Sequence, residues 1–476
     1  MNYLTVKEAA EKWNVGTGIV SKYCSDNKIT NAKKIKGRWM IPDSAKKPKD
    51  NRLKKNFKFT FIDLFCGIGG FHQALADLGG KCVFACDINK KCREVYENNF
   101  KKTNDDLIIE ADIKKSVKNK SIPNFDVLCG GFPCQTFSKA GKRNGFDIVD
   151  NVDGTKDERG QLFFRIIDIL EMHPECKYVI LENVRNLADE KDNWDVVCSE
   201  LKKQGFVITE DPIIESPHNF GIPQIRDRVY ILGVKKEYVK SNKLKEKQKI
   251  TREMLELDKH YKKCPKNCIP MLLDDEPEEK YFVPDEISEL LKIWEEFLEN
   301  VKNIKSPFWL HKAGLGIYDD DEYKNDPNIG YCEMPDWKKH LVWKSRVMYN
   351  ENYEFIDGWS KKYHMTERSL LHQKFEWNAS RDCERICEGI IQIRQSGIRV
   401  KNPDYFPSLV AMNNTPIVWD ENTKRYRYIS PKEAAKLQSF KNRYIFDESD
   451  SVSYRQLGNS VNVKLIRMFA ESLLKL

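Results

Sequence analysis

Between residues 57 and 234, short apolar runs alternate with helical stretches, as a doubly wound α/β sheet requires. Runs at 59–65, 81–86, 125–129, 177–181 and 228–234 are read as strands. Four of them end on a polar or glycine-rich residue: the Gly67, Gly69, Gly70 cluster, Asp87, the Pro133-Cys134 turn and Glu182. In open α/β sheets the ligand crevice lies outside the carboxyl ends of the strands, so these four ends converge on one site. Ahead of this block, Thr5 and Glu8 have capping-box spacing, which starts a helix at Val6 with Val6, Ala9, Ala10 and Trp13 on one face. A short turn with glycine leads to a second helix through Ile19, Val20 and Tyr23. After residue 234 the pattern weakens. Residues 235–400 are rich in Lys, Glu, Trp and Tyr and predict few strands, with one amphipathic helix over 284–298. Trp309, Trp337, Trp343 and Trp359 are read as core residues rather than as wedges between bases. Periodicity returns at 430–440, and a helix is expected over 461–474.

Composition narrows the class. A chain of 476 residues, 40% hydrophobic and 32% charged, has room for two or three soluble domains. No apolar run approaches the ~20 residues that span a bilayer, so no membrane role is expected. Fourteen cysteines without regular spacing fit a reducing, cytoplasmic setting. Cys264 and Cys268 lack a second pair to complete four zinc ligands, and no metal is expected. Charge is concentrated at one end. Residues 1–58 hold 15 Lys/Arg against 5 Asp/Glu, a net of +10 in a chain of +8. Such a segment is either a polyanion contact or a solvated basic tail.

The chemistry sits at the strand ends. Glycines at 67, 69 and 70 permit a tight turn and close backbone approach to a ligand, and Asp87, twenty residues past Gly67, has the spacing of a ribose-binding carboxylate. Cys134, behind Pro133 and two glycines on a turn expected to be exposed, has the setting of a nucleophile. Glu182, directly after an apolar strand, is expected to be partly desolvated, with a raised pKa suited to proton donation; a helix cap is the plainer alternative. Arg226 and Arg228, two apart on an extended segment, should face the same side, to steady an anion or to pair with Glu182.

In this order the motifs resemble those of the DNA (cytosine-5) methyltransferases. FIDLFCGIGGF (61–71), GGFPCQTFS (130–138), LENV (181–184), QIRDR (224–228), RYISPKEAAKLQSF (427–440) and QLGNSV (456–461) carry the likeness. Residues 5–42 are similar to the helix-turn-helix and small wing of excisionase- and MerR-like domains. The resemblance implies an α/β fold with a Rossmann-like methyltransferase sheet, a smaller target-recognition domain and an N-terminal winged helix-turn-helix. It divides the chain into 1–50, 57–234, 235–425 and 426–476. It implies S-adenosylmethionine as methyl donor and double-stranded DNA as substrate, with Cys134 as nucleophile, Glu182 as the partner of cytosine N3, and Arg226 and Arg228 holding the base and catalytic loop. Phe65, Gly67, Gly69, Asp87, Ile88, Asp112, Ile113, Pro133, Leu162 and Asn459 would form the cofactor pocket. Ile88 stands where some relatives have an aromatic, and Lys441-Asn442 replaces a frequent Pro-Asp. A basic segment at 392–401 is expected to touch DNA bases or phosphates. The family context implies a bacterial restriction–modification system with a cognate endonuclease, and a monomer in catalysis. A transfer-RNA cytosine-5 methyltransferase and a DNA-binding regulator are the alternatives.

Overall fold

The computed structural model describes residues 3–13, 17–25, 27–35, 37–48, 57–133, 146, 149–150, 156–157, 159–304, 306–309, 322–325, 330–369, 371–379, 383–410 and 414–476. The chain divides into two compact units, Met1–Phe57 and Lys58–Leu476.

In the first unit, strand β1 (Tyr3–Thr5) leads into helices α1 (Val6–Trp13) and α2 (Thr17–Ser25), followed by β2 (Lys33–Ile35) and β3 (Arg38–Pro42). The capping box forms: the Thr5 N–H donates to Glu8 Oε2 at 2.7 Å, and the Glu8 N–H donates to Thr5 Oγ1 at 3.3 Å. Ala9, Ala10 and Trp13 are buried with Val20, Tyr23 and Ile41. The three strands pair antiparallel in the order β1-β3-β2.

The second unit is built on a mixed sheet. Its strands are β4 (Phe59–Leu64), β5 (Gly80–Cys86), β6 (Ile108–Glu110), β7 (Val127–Gly130), β8 (Tyr178–Val184), β9 (Phe206–Ile208), β10 (Ile213–Glu215) and β11 (Arg228–Lys235). They lie in the order β9-β11-β8-β7-β4-β5-β6, with β10 also on β11. The strands from β8 to β6 run parallel, and β11 is antiparallel to β8, β9 and β10. Helix α3 (Gly70–Asp77) follows β4, α4 (Lys90–Phe100) follows β5, α5 (Ile113–Lys118) follows β6, and α6 (Leu162–Met172) and α7 (Lys191–Lys203) flank β8. Both faces are covered, which is why the strands read as apolar runs rather than as alternation. Phe61, Ile180, Tyr230 and Leu232 enter one core, while Ile62, Leu64, Leu128, Val179, Leu181 and Ile231 enter the other.

The remaining chain departs from the expected pattern. Residues 239–272 contribute Val239, Leu244, Ile250, Leu257 and Leu272 to the first sheet's core. A second core starts at Val283. It holds α8 (Asp285–Asn300), α9 (Asp336–Glu351), α10 (Tyr353–Lys362) and a six-stranded sheet that the sequence reading did not foresee. The strands of this sheet are β12 (Phe308–Trp309), β13 (Lys374–Asn378), β14 (Ile390–Arg394), β15 (Gly397–Lys401), β16 (Ile417–Asp420) and β17 (Arg425–Tyr428), in the order β12-β13-β15-β14-β16-β17. The basic segment at 392–401 is thus largely a β-hairpin of this sheet. Trp359 is buried as expected, but Trp337 and Trp343 lie 67% and 43% exposed on α9, which turns Leu341, Val342, Ser345 and Met348 inward instead.

Helices α11 (Pro431–Leu437), α12 (Asp450–Asn459) and α13 (Val463–Leu473) close the chain. Asn462 caps α13 by accepting from the Leu465 N–H, and the helix packs on α3 and β11 through Val463, Leu465, Ile466 and Phe469. A cap worth about 1 kcal/mol and four buried apolar side chains, each stabilising by about 1.5–3 kcal/mol, tie the chain's last segment to α3 and β11.

Candidate active site

After β4 and β7 the connections leave toward opposite edges of the sheet, which opens a crevice at the strand ends. Phe65 leaves β4 at φ 53°, and Gly67 (51°) and Gly69 (82°) share the left-handed region. Phe65 carries real strain there, the kind held at functional sites. A Cβ on Gly69 would stand 2.3 Å from Phe100, whereas one on Gly67 would meet nothing within 4 Å. Gly67 therefore faces open space, while Gly69 is fixed by packing.

Asp87 ends β5. Its Oδ2 accepts the Gly67 N–H at 2.9 Å and its Oδ1 accepts the Asn89 N–H at 2.8 Å. Burial pushes its carboxyl up, against these two hydrogen bonds and the Arg93 charge. A carboxylate offers about four lone-pair sites, so acceptor capacity remains for a diol. Ile88 beside it is 83% exposed. Asp112 caps α5 through the Lys114 N–H at 2.9 Å, and Ile113 is buried behind it. This cradle of open glycine, half-used carboxylate and exposed aliphatic side chain fits an adenosyl group.

On the other side of the crevice, the turn after β7 is more buried than expected: Phe132 is 2% exposed, and Gly131 and Pro133 are half-buried. The Asn183 side chain donates to Phe132 O at 3.2 Å, a positioning bond that the LENV motif did not reveal. Cys134 lies outside the described residues. Period two places Ile180 and Glu182 on one face of β8, and Arg228 and Tyr230 on the same face of β11. Glu182 pairs in register with Tyr230, which makes Arg228 its diagonal neighbour. Arg228 Nε sits 3.0 Å from Glu182 Oε1. Burial pushes the Glu182 carboxyl up, while the Arg228 and Arg226 charges and the Arg228 hydrogen bond pull it back. A Cβ on Gly131 would stand 3.4 Å from Glu182 Oε2, so glycine keeps the approach to this oxygen clear.

Residues 224–227 are not regular strand, and Arg226 reaches Glu182 through its charge while its hydrogen bonds go to backbone and a serine hydroxyl. It donates to Leu409 O (2.9 Å), Gly458 O (2.9 Å), Ser460 O (2.8 Å) and Ser408 Oγ (3.2 Å). Arg226 thereby ties residues 408–409 to residues 458–460. It brackets Asn459, which ends α12 exposed; Leu162 opens α6 half-buried. Sequence reasoning missed Asp63, fully buried on β4, whose carboxyl burial pushes well up. The Tyr96 hydroxyl donates to it at 3.3 Å and lies 2.7 Å from His72 Nδ1, whose ring burial drives down to about 3. A carboxylate inside an apolar run was the signal. Among the described residues no group of three His, Cys, Asp or Glu is arranged to hold a metal, and Cys264 hydrogen-bonds His218 O instead.

The C-5 cytosine-specific DNA methylases match residues 59–475. The chain belongs to this family. The methylase is 27% identical to the Type II methyltransferase M.AluI of Cellulosimicrobium cellulans, over 87% of this chain and 91% of that protein. It is 42% identical to M.HpaII of Haemophilus parainfluenzae, over 38% and 47% of the two chains. Among solved structures it is similar to a putative DNA modification methyltransferase of an E. coli prophage, with a TM-score of 0.49 and 20% identity over 88% of this chain and 99% of that one. The methylase is a DNA cytosine-5 methyltransferase. No helix among its described residues is long and apolar enough to cross a membrane.

Proposed function

We propose that this methylase modifies carbon 5 of a cytosine flipped out of duplex DNA, as the modification component of a restriction–modification pair. The buried Glu182 carboxyl beside Arg228 carries the reading, because burial raises its pKa and so favours proton donation at the strand ends of the crevice. S-adenosylmethionine, when bound, supplies an electrophilic methyl group. Phe65, Gly67, Asp87, Ile88, Asp112 and Ile113 would hold its adenosyl portion, with Gly69, Pro133, Leu162 and Asn459 completing the pocket. The Cys134 thiolate adds to carbon 6 of the base as Glu182 delivers a proton to N3. The electron pair of the 5,6 double bond then resides at carbon 5, which forms the new bond to the methyl group as the bond from that methyl to the sulfonium sulfur breaks and the thioether leaves. Loss of the carbon 5 proton to a base restores the double bond and expels the thiolate, and the N3 proton returns to Glu182, leaving methylated cytosine. Arg228 holds the Glu182 carboxyl in place, and Arg226 holds the backbone around it. Flipping costs a few kcal/mol, which contacts from residues 283–428 offset.

The basic first unit is an added DNA-binding module, with Lys33 and Lys34 exposed on β2. The test is incubation of purified protein and labelled S-adenosylmethionine with plasmid DNA or transfer RNA. Label is expected in DNA; label in RNA alone overturns the reading.

A further inference from the structure

One face of strands β13, β15 and β14 enters the second core through Phe375, Ile398, Val400 and Ile391. The opposite face carries Lys374, Arg394 and Arg399 around the Glu376 carboxylate, with Lys401 on the same face within reach of Asp404. Register places Arg399 between Glu376 on β13 and Gln392 on β14. Glu376 is 7% exposed. Its Oε2 accepts Arg399 Nε at 2.7 Å and lies 2.7 Å from Arg394 Nη2, while Lys374 Nζ stands 3.5 Å from Oε1. Burial works to raise this carboxyl, but the Arg399 hydrogen bond and the surrounding cations outweigh it and hold the group below its ordinary value. Burial, with the neighbouring Arg399 and Arg394 charges, pushes Lys401 down against the pull of Asp404.

Anchoring through Nε uses one edge of a planar guanidinium and leaves the Nη1–Nη2 edge. For that edge of Arg399 no partner stands among the described residues. The group is also close to the chemistry. Phe406, seven residues on, donates to Pro223 O at 2.8 Å and accepts from the Ile225 N–H at 3.0 Å, beside Arg226. Seven residues span at most about 25 Å. Arg399 thus lies within one turn of duplex, about 34 Å, of the segment that carries Arg226 and Arg228.

We propose that Arg399 is a specificity-determining residue that takes the O6 and N7 acceptors of a guanine through its Nη1–Nη2 edge, with Glu376 as the positioning residue that holds it. The inference rests on the reading of duplex DNA as substrate. Phosphate contacts tolerate mobile, solvated side chains and carry no sequence information, whereas base reading needs a fixed donor pair. A guanidinium bonded to a buried carboxylate on a sheet is fixed before DNA arrives.

The test uses the full chain, as wild type and as Arg399→Ala, Arg399→Lys and Glu376→Gln. Methylated cytosines are mapped by bisulfite sequencing, and kcat/KM is then measured on duplexes carrying each single-base change in the motif. The wild-type motif is expected to contain a guanine at one fixed position. Arg399→Ala lowers discrimination at that position by roughly 5- to 150-fold, and Arg399→Lys does the same, because a point charge lacks the fork. Glu376→Gln lowers it less, at the same position. A motif without a fixed guanine overturns the proposal, as does unchanged discrimination in Arg399→Lys. So does a uniform loss on every duplex with a salt dependence shallower by about 0.9 log units, the mark of a phosphate contact. Absence of methylation by the wild type is a different result, and it removes the DNA reading itself. Cofactor affinity monitors folding, and Glu376→Gln decides the matter if Arg399→Ala fails to fold.

Discussion

The first sheet spaces its charged groups one to a strand end, whereas the six-stranded sheet crowds three cations on one face around the Glu376 carboxylate. Asp87 answers to two backbone N–H groups and Arg93, Glu182 to Arg228 and Arg226, and burial still raises both. Glu376 answers to two arginines and a lysine and stays below its ordinary value. The first arrangement tunes a proton or accepts a hydroxyl, which suits chemistry identical at every target. The second stores positive charge and orients it, which suits recognition of a polyanion whose sequence differs from one enzyme to the next.

The largest expected effect falls on the first sheet. Cys134→Ala should abolish methyl transfer while DNA binding persists; retained turnover would refute the nucleophile. Glu182→Gln should lower kcat by about 10²- to 10⁴-fold, the range of positioned acid–base catalysis. The pH dependence gives the sharper reading. In the proposed chemistry the protonated Glu182 is the active form, and burial raises its pKa, so activity should fall as pH rises through that value. Arg228 lowers the pKa, so Arg228→Ala should move this limb to higher pH, read from kcat against pH on saturating DNA. An unmoved limb would assign the titration to another group.

The join between the two sheets should respond in stability instead. Arg427, fully buried, bonds Asp420 Oδ2 at 2.7 Å and Glu433 Oε1 and Oε2 at 2.8 and 2.9 Å. Glu433 also completes the α11 capping box with Ser430. Arg427→Ala leaves two buried carboxylates unpaired and should cost about 3–5 kcal/mol in denaturant unfolding. Apolar replacement of Arg427, Asp420 and Glu433 together should recover most of it. A small cost for Arg427→Ala alone would mean that water already reaches the triad.

The contrast between the sheets also decides what the sequence disclosed. Strands β4, β5, β7, β8 and β11 lie within a few residues of their expected positions, because burial on both faces writes them as apolar runs. The second sheet shows one face to a core and loads the other with charge, so it reads as a polar stretch. Its alternation was present all the same, as Lys-Phe-Glu-Trp-Asn at 374–378 and Gly-Ile-Arg-Val-Lys at 397–401. The candidate site followed the same rule. Residues at strand ends were legible, since position along the chain fixes position in the crevice. Arg226 was not, because its carbonyl partners at 409, 458 and 460 lie far away in sequence. Asp63, Tyr96 and His72 were not either, because their contact depends on how α3 and α4 pack together.

The smallest expected effect separates ligand contact from folding at the first sheet. Ile88 is 83% exposed, so Ile88→Ala removes almost no surface buried by the protein itself. Its stability should stay within about 0.5 kcal/mol of wild type, as for surface substitutions generally. Covering even part of this side chain with an adenosyl group recovers apolar burial, at ~25 cal/mol for each Å². Affinity for S-adenosylmethionine should therefore weaken by roughly three- to tenfold, measured by calorimetry without DNA. Motif specificity should not change, since the guanine-reading group stands on the other sheet. A change in motif would couple the two sheets, and unchanged cofactor affinity would place the adenosyl group away from β5.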